Sequence, residues 1–304
     1  MNEINWAIAR KREKLIARAR IIQQIRAFFA QRDYLEVETP QRIPANAPEP
    51  HIDAVPSNDW VLQTSPELAM KRLLAAGHQR LFQICRVWRQ GERGSQHLPE
   101  FTLLEWYRSQ ANYSALMDEC EQLLLALAPT GAINWQGTDI QLTPPWDRLT
   151  VAEAFERYAS LSLQQALSND RFEEILTDEI EPRLGYKRPL FLTEYPAEMA
   201  ALARKKPEHP EVAERFELYI NGLEVANAFS ELTDPVEQRQ RFEQDEATRV
   251  GAGKPPQPLP EKFLREMHHL PDCAGIALGI DRLIMLLTEA KRIGDVVAFT
   301  PEEL

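Results

Sequence analysis

What this chain has little of narrows what it can do. Its three cysteines, Cys85, Cys120 and Cys273, lie far apart and form no CxxC pair. That argues against both a disulfide framework and a cysteine-ligated zinc, and it fits a reducing, cytoplasmic setting. No apolar run approaches the roughly 18 residues that a membrane helix needs. The charged N-terminus carries no apolar signal-peptide core. Positive charge is in deficit, with 35 Lys and Arg against 46 Asp and Glu for a net charge of −11. Broad, nonspecific nucleic-acid binding needs the opposite balance. GxGxxG and P-loop motifs are missing, as are internal repeats and low-complexity tracts. The remainder, 44% hydrophobic and 27% charged over 304 residues, is ordinary for a globular protein with a full core.

The periodicity predicts a long amphipathic helix over residues 6–32, with Ile8, Leu15, Ile22, Ile25 and Phe29 near one stripe. Arg10, Lys11, Arg12, Lys14, Arg18, Arg20 and Arg26 have the spacing of a solvated face on it. The helix leads into Leu35-Glu36-Val37-Glu38-Thr39-Pro40, a proline-terminated strand whose apolar surface a second copy could cover. Residues 41–58 read as an irregular proline-bearing loop, and Trp60–Gln63 as a strand. Thr64-Ser65-Pro66-Glu67 has the chemistry of a helix start, so Ser65 and Glu67 are either caps or site residues. Helices are expected over 112–128, Val151–Tyr158 behind Thr150, parts of 160–185, and 235–250. Short strands are expected at Asp139–Leu142 and Phe191–Pro196, and a Gly/Pro loop at 251–260.

Three stretches carry unusual charge. Leu81–Trp88 and Glu100–Tyr107 alternate as a hairpin, with Arg86, Arg89, His97, Glu100 and Glu105 set among Trp88, Phe101, Trp106 and Tyr107. Buried strand charges need a partner or a ligand, so this is either an ion-paired edge or a binding surface. Around Asn221-Gly222, a type I′ turn signal, the simple register puts Tyr219 opposite Glu224 and Glu217 opposite Ala226. Glu217 and Glu224 then lie diagonally on one face, either as solvated acids or as carboxylates that hold Mg²⁺. In Gly275–Leu287 a glycine-punctuated strand runs into a helix that begins with Asp281 and Arg282. Arginine sits at the wrong pole of the helix dipole there, so an anionic partner is expected. Tight helix–strand packing is the other account of its glycines.

Phe29–Pro40, Phe82–Tyr107 and Gly275–Leu287 resemble, in order, the three motifs of class II aminoacyl-tRNA synthetases of the lysine branch, and Pro210–Asp234 is similar to the lysyl type as well. The likeness is strongest to the stand-alone elongation factor P (R)-β-lysine ligases. Ala277 stands where the tRNA-charging relatives have glycine. The resemblance implies an α+β fold, a mostly antiparallel sheet flanked by helices. It also implies one catalytic domain over 1–304 without an anticodon-binding OB-fold, and a homodimer formed through residues 28–40. The implied cofactors are ATP and Mg²⁺. The implied substrates are lysine or β-lysine and elongation factor P as acceptor, with no tRNA and no membrane partner.

Residue roles follow from the same resemblance. Arg89 and Arg282 are the catalytic arginines, on the α-phosphate and, with His97, at the γ-phosphate end. Phe101 stacks on adenine, and Gln90, Gly91, Leu98, Glu224, Val225 and Gly279 complete the ATP site. Glu217 and Glu224 bind the metal. Ser65, Pro66, Glu67, Glu105, Tyr107, Asn227, Glu231 and Ala277 surround the amino acid, with Asn227 orienting its carboxylate. Two positions depart from the family pattern: Gly91 replaces the usual glutamate, with Glu92 one place later, and Leu98 replaces an asparagine. Two other functions are compatible with these residues. One is an aminoacyl-adenylate ligase with another acceptor; the other is a non-catalytic regulator that binds an amino acid or nucleotide.

Overall fold

The computed structural model describes residues 7–304. The strands of the large sheet, numbered in chain order, are β1 (Leu35–Glu36), β2 (Arg80–Trp88), β3 (Glu100–Ser109), β4 (Asp147–Thr150), β5 (Leu190–Pro196), β6 (Lys205–Lys206), β7 (His209–Ile220), β8 (Leu223–Ser230) and β9 (Cys273–Gly279). This nine-stranded sheet runs β1-β2-β3-β9-β8-β7-β5-β4, with β6 beside β7. Only β1–β2 and β4–β5 are parallel. The expected α+β architecture is therefore present. The main helices are α1 (Arg12–Ala30), α2 (Glu67–Ala75), α3 (Tyr113–Leu127), α4 (Pro235–Gly251) and α5 (Ile280–Leu287).

One sheet face is covered by α1, α3 and α5. There Ile25, Phe29, Phe82, Trp106, Leu123 and Ile284 are almost fully buried in the principal core. Asn112 caps α3 by accepting from Ser114 and Ala115 N–H, and Asp234 caps α4 in the same way. Thr150 and Glu153 form a complete capping box for Val151–Tyr158. Among the described residues no helix is long and apolar enough to cross a membrane.

Several local expectations are corrected. Trp6, the start of the first predicted helix, lies outside the described residues, and a turn at Lys11 separates Ala7–Arg10 from α1. The basic stripe on α1 is not wholly solvated. Lys11 pairs with Glu303 at 2.5 Å, and Arg18 reaches Asp281 and the Thr102 hydroxyl. The 41–58 loop contains Arg42–Ile43 and Pro56–Ser57, which pair with Trp60–Leu62 in a small sheet. A helix at Glu261–Glu266 follows the Gly/Pro loop. The charged hairpin is not at an edge, because β2 and β3 lie between β1 and β9.

The β7–β8 hairpin turns as expected, with φ of +51° at Asn221 and +76° at Gly222, but its register shifts between Leu218 and Tyr219. Asn227, not Ala226, is the residue opposite Glu217. The cause is a bulge at Val225, one extra residue that sequence alternation does not announce. It has a consequence for function. Glu217, Asn227, Ala277 and Glu105 now form one row across β7, β8, β9 and β3. Two residues along, Arg215, Phe229, Gly275 and Tyr107 form a second row on the same strands.

Candidate active site

The first row anchors a pocket whose charge is mostly buried. Glu105 on β3 is 1% exposed, Glu231 just past β8 is 1% exposed, and Lys71 on α2 is 0% exposed. Ser65 makes two bonds, one to the start of α2 and one to a buried acid. Its Oγ accepts from the Glu67 N–H at 3.0 Å and donates to Glu105 Oε1 at 2.6 Å. The Tyr107 hydroxyl donates to the other Glu105 oxygen at 2.8 Å. Pro66 immediately precedes α2, which carries Glu67 and, one turn later, Lys71. Lys71 Nζ lies 2.6 Å from Glu67 Oε1 and 2.5 Å from Glu231 Oε2.

Gly275 makes this geometry possible. A Cβ there would collide with the Tyr107 ring and Glu231 Oε1. Ala277 sits between Glu105 on one side and Asn227 on the other, so its methyl forms part of the floor. Buried polar atoms here without a hydrogen-bond partner include Glu231 Oε1, Asn227 Oδ1 and Arg89 Nε. Buried polar atoms without partners cost free energy, and a ligand that satisfies them recovers it.

Beside the pocket lies a cationic clamp. Arg282, in the first turn of α5, donates to the Glu224 main-chain oxygen at 2.8 Å and its carboxylate at 3.0 Å. Its other nitrogen is 2.6 Å from His97 Nε2. Glu224 is the anionic partner expected for an arginine at that end of the helix. Burial lowers the His97 pKa and the neighbouring Arg282 lowers it further, so the ring is neutral and accepts at Nε2. Burial opposes the Glu224 charge, yet Arg282 holds its carboxyl below the usual carboxylate range. Arg89 lies over the Phe101 ring at 5.2 Å. Glu92 comes within 3.7 Å of Arg89, because Gly91 turns the chain at φ +81°. The displaced glutamate therefore returns to the arginine through a glycine turn.

Some sequence-predicted residues enter the site differently. Leu98 and Val225 are 3% and 2% exposed and pack in the principal core, so a nucleotide would meet their main chain. Gln90 is exposed, with its N–H bonded to the Asp53 carbonyl. Gly279 caps α5 with its main chain in an extended conformation. Glu217 accepts from Arg215 and the Tyr219 hydroxyl, each at 2.6 Å, and Glu224 faces Arg282. Among the described residues no group of three His, Cys, Asp or Glu is arranged to enclose a metal.

Three acids near the site had no signal in local sequence. Burial and the charges of Glu217 and Glu224 push Glu181 up to about 7, and burial raises Glu173 in the same direction. Both come from 160–185, a segment that sequence reading left without chemistry. Glu49 is pushed up to about 7, mainly by burial, with the Glu67 charge adding to it. Its loop is strapped down by Arg249, which donates to the Glu49 and Ile52 carbonyls at 3.0 Å each. A cavity of about 390 Å³ elsewhere, lined by His78, Arg80 and Arg108 among others, contains none of the predicted site residues.

This buried cluster of acids makes the folded protein sensitive to pH. Burial, with the Glu67 charge, raises Glu105 from 4.5 to about 8. Burial pushes Glu231 the same way, against the Lys71 ammonium. Between 4.5 and about 8 Glu105 is protonated when folded and ionised when unfolded, so the folded state binds one more proton. Its contribution to stability is complete below that window and is lost as pH rises through it. Thermal unfolding of the ligand-free protein is expected to drop by roughly 3–5 °C between about pH 5 and 8. Glu105→Gln should flatten the slope, and an unchanged slope in that variant would assign it to other groups.

The chain matches the class II tRNA synthetases (D, K and N) over residues 4–303. It is 39% identical over 316 residues to the elongation factor P–(R)-β-lysine ligase of Erwinia tasmaniensis, with 97% of each chain covered. It is 40% identical over 318 residues to the protein of that name from Pectobacterium carotovorum subsp. carotovorum, with 98% of each covered. To the one from Salmonella gallinarum it is 40% identical over 316 residues, with 97% of each covered.

Proposed function

The chain belongs to the class II tRNA synthetase family (D, K and N), and on that premise we propose that it is an ATP-dependent aminoacyl ligase that charges elongation factor P with (R)-β-lysine or lysine. The observation that carries this reading is the pair of buried acids Glu105 and Glu231, with Glu67 half-buried next to them, beside the Arg89–Arg282 clamp. Buried carboxylates call for cations, and a diamino acid supplies two. The clamp suits a polyphosphate, since guanidinium groups bind phosphate oxygens with matched geometry. Likeness to ligases named for (R)-β-lysine supports the β-amino acid as substrate, as does the Ala277 methyl between Glu105 and Asn227.

In the first step a substrate carboxylate oxygen attacks the α-phosphorus of ATP. The bond to the bridging oxygen breaks and pyrophosphate leaves. Arg89 would neutralise charge on the α-phosphate, and Arg282 with His97 would hold the γ-phosphate end. Phe101 would carry the adenine. Glu67, Glu105 and Glu231 would bind the ammonium groups, and Asn227 would face the carboxylate. In the second step the ε-amine of a lysine on the acceptor attacks the acyl carbon, AMP leaves, and the amine sheds a proton. Such catalysis is positioning and electrostatics rather than covalent participation. Glu217 and Glu224 offer the hard oxygen donors that Mg²⁺ takes together with phosphates. When bound, the ion would neutralise charge between those phosphates.

A homodimer is part of the proposal. Leu35 is 50% exposed on β1, the strand at the sheet edge, where a second copy would cover it. Intact-mass measurement of elongation factor P after incubation with this protein, ATP and (R)-β-lysine tests the whole reading, with lysine in parallel. One added lysyl unit is expected. Amino-acid-dependent ATP–pyrophosphate exchange without an adduct would point to a different acceptor. Nucleotide binding with neither exchange nor adduct would mean a regulator. A gel shift with tRNA should show no complex.

A further inference from the structure

One buried charge in the pocket is unused by the proposed reaction. Lys71 is the only lysine or arginine with 0% side-chain exposure among the described ion pairs, and it bridges two of the three pocket acids. An unpaired ammonium at such depth would cost several kcal/mol, so its position is tied to those acids. Burial alone would lower the Lys71 ammonium, but the charges of Glu231 and Glu67 raise it above the ordinary lysine range. It is therefore a permanent cation. Glu231 Oε2 is ion-paired with Lys71, whereas Oε1 has no partner and lies over Gly275.

The charge count is then simple. Facing bound ammonium groups, Glu67, Glu105 and Glu231 can carry three negative charges, and Lys71 cancels one. We propose that Lys71 is a positioning residue that sets amino-acid specificity, fixing the pocket at two net negative charges so that it matches a substrate with two ammonium groups. This inference rests on the ligase reading above and deepens it. Lys71 touches neither substrate nor ATP in this scheme; it acts through Glu67 and Glu231, holding both carboxylates in place and opposing the effect of burial on Glu231.

The groups facing the pair come from every element around it. Helix α2 supplies Glu67, β3 supplies Glu105 and Tyr107, and the segment after β8 supplies Glu231. Cys273 on β9 is close enough to feel both charges, but burial raises its thiol, so it stays neutral. Arg89 acts on Glu105 from the end of β2, and Glu49, in the loop before the small sheet's Pro56–Ser57 strand, feels the Glu67 charge. Apart from Lys71, Arg89 is the only one of these groups that is cationic. It belongs to the phosphate side, which leaves Lys71 as the pocket's own counter-ion.

Two single variants and their combination test this by lysine-dependent ATP–pyrophosphate exchange. Glu231→Gln drops the pocket to one negative charge and should raise the amino-acid KM by about tenfold or more. Lys71→Met should also raise KM at neutral pH and move the pH dependence of KM to more alkaline values, with kcat nearly unchanged. The reason is that Glu231 loses the cation that favours its charged form. The double variant Lys71→Met/Glu231→Gln restores two negative charges with Glu67 and Glu105. Its KM should therefore be lower than that of Glu231→Gln alone. Removing both partners of a buried pair is also the change that folding best tolerates, so the comparison survives if Lys71→Met alone does not fold.

A purely structural lysine predicts the reverse order, with the double variant weaker than Glu231→Gln and no alkaline shift in Lys71→Met. Either result overturns the proposal. The wild-type arm judges the parent reading separately. If no diamino acid supports exchange, the ligase assignment fails. If exchange is normal and the double variant shows no recovery, only the role of Lys71 fails.

Discussion

Arg89→Ala is expected to cut ATP–pyrophosphate exchange by about 10²–10³-fold while leaving the folded protein intact. The magnitude is that of removing one preorganised donor from a developing charge in an acyl- or phosphoryl-transfer site. The asymmetry between activity and stability follows from what Arg89 touches. Its nearest acid is Glu92 at 3.7 Å, with a quarter of each side chain exposed, and its other neighbour is the Phe101 ring. Such a loose surface pair contributes less than about 1 kcal/mol. Its Nε is buried without a partner, so the arginine is held for something other than the fold. Exchange kinetics and a thermal melt on the same sample check this. Exchange within tenfold of wild type would remove Arg89 from the catalytic role. A collapse of the melting midpoint would make it structural.

The second large effect is expected at Gly275. Gly275→Ala places a methyl in space already filled by the Tyr107 ring and Glu231 Oε1. Neither can step aside freely, because the Tyr107 hydroxyl is bonded to Glu105 and Glu231 is paired with Lys71. Overpacking of this kind costs about 1–3 kcal/mol of stability. Activity should suffer more selectively. Displacing Tyr107 and Glu231 together disturbs two pocket acids, so the amino-acid KM should rise by about 100-fold. The ATP KM should hold near its wild-type value, since Arg282, His97 and Glu224 contact one another and not Gly275. An equal loss in both KM values would show that the strand as a whole had shifted, and unchanged values would show that Gly275 is not a spacer.

These two residues show how differently parts of the site can be read from sequence. Arg89 announces itself as a charge at the end of an alternating strand. Gly275 and Gly279 were read as close-approach positions, and for Gly275 the approaching groups turn out to be the protein's own tyrosine and glutamate. Sequence could not divide Ser65 between a helix start and a site, and its Oγ bonds both the Glu67 N–H and the Glu105 carboxylate. The basic stripe of α1 was misread for a related reason. Helical spacing shows which residues share a face, but not that Asp281 and Thr102 wait opposite Arg18.

Sequence by itself determined the class of the fold, the charged hairpin, the Asn221-Gly222 turn and the identity of most candidate residues. Each of these is written in local periodicity, in turn chemistry or in an ordered set of motifs. Only the tertiary structure decided which residues share a row. The bulge at Val225 brings Asn227 opposite Glu217, and a one-residue slip of this kind is invisible to an alternating pattern. Only the tertiary structure, too, brought Glu49, Glu173 and Glu181 toward the site and set Lys71 between Glu67 and Glu231. Those placements depend on burial and on charges from segments more than a hundred residues apart in the chain. Local sequence encodes neither the dielectric surroundings nor the partner of a buried charge, and both arise when the sheet and helices close around it.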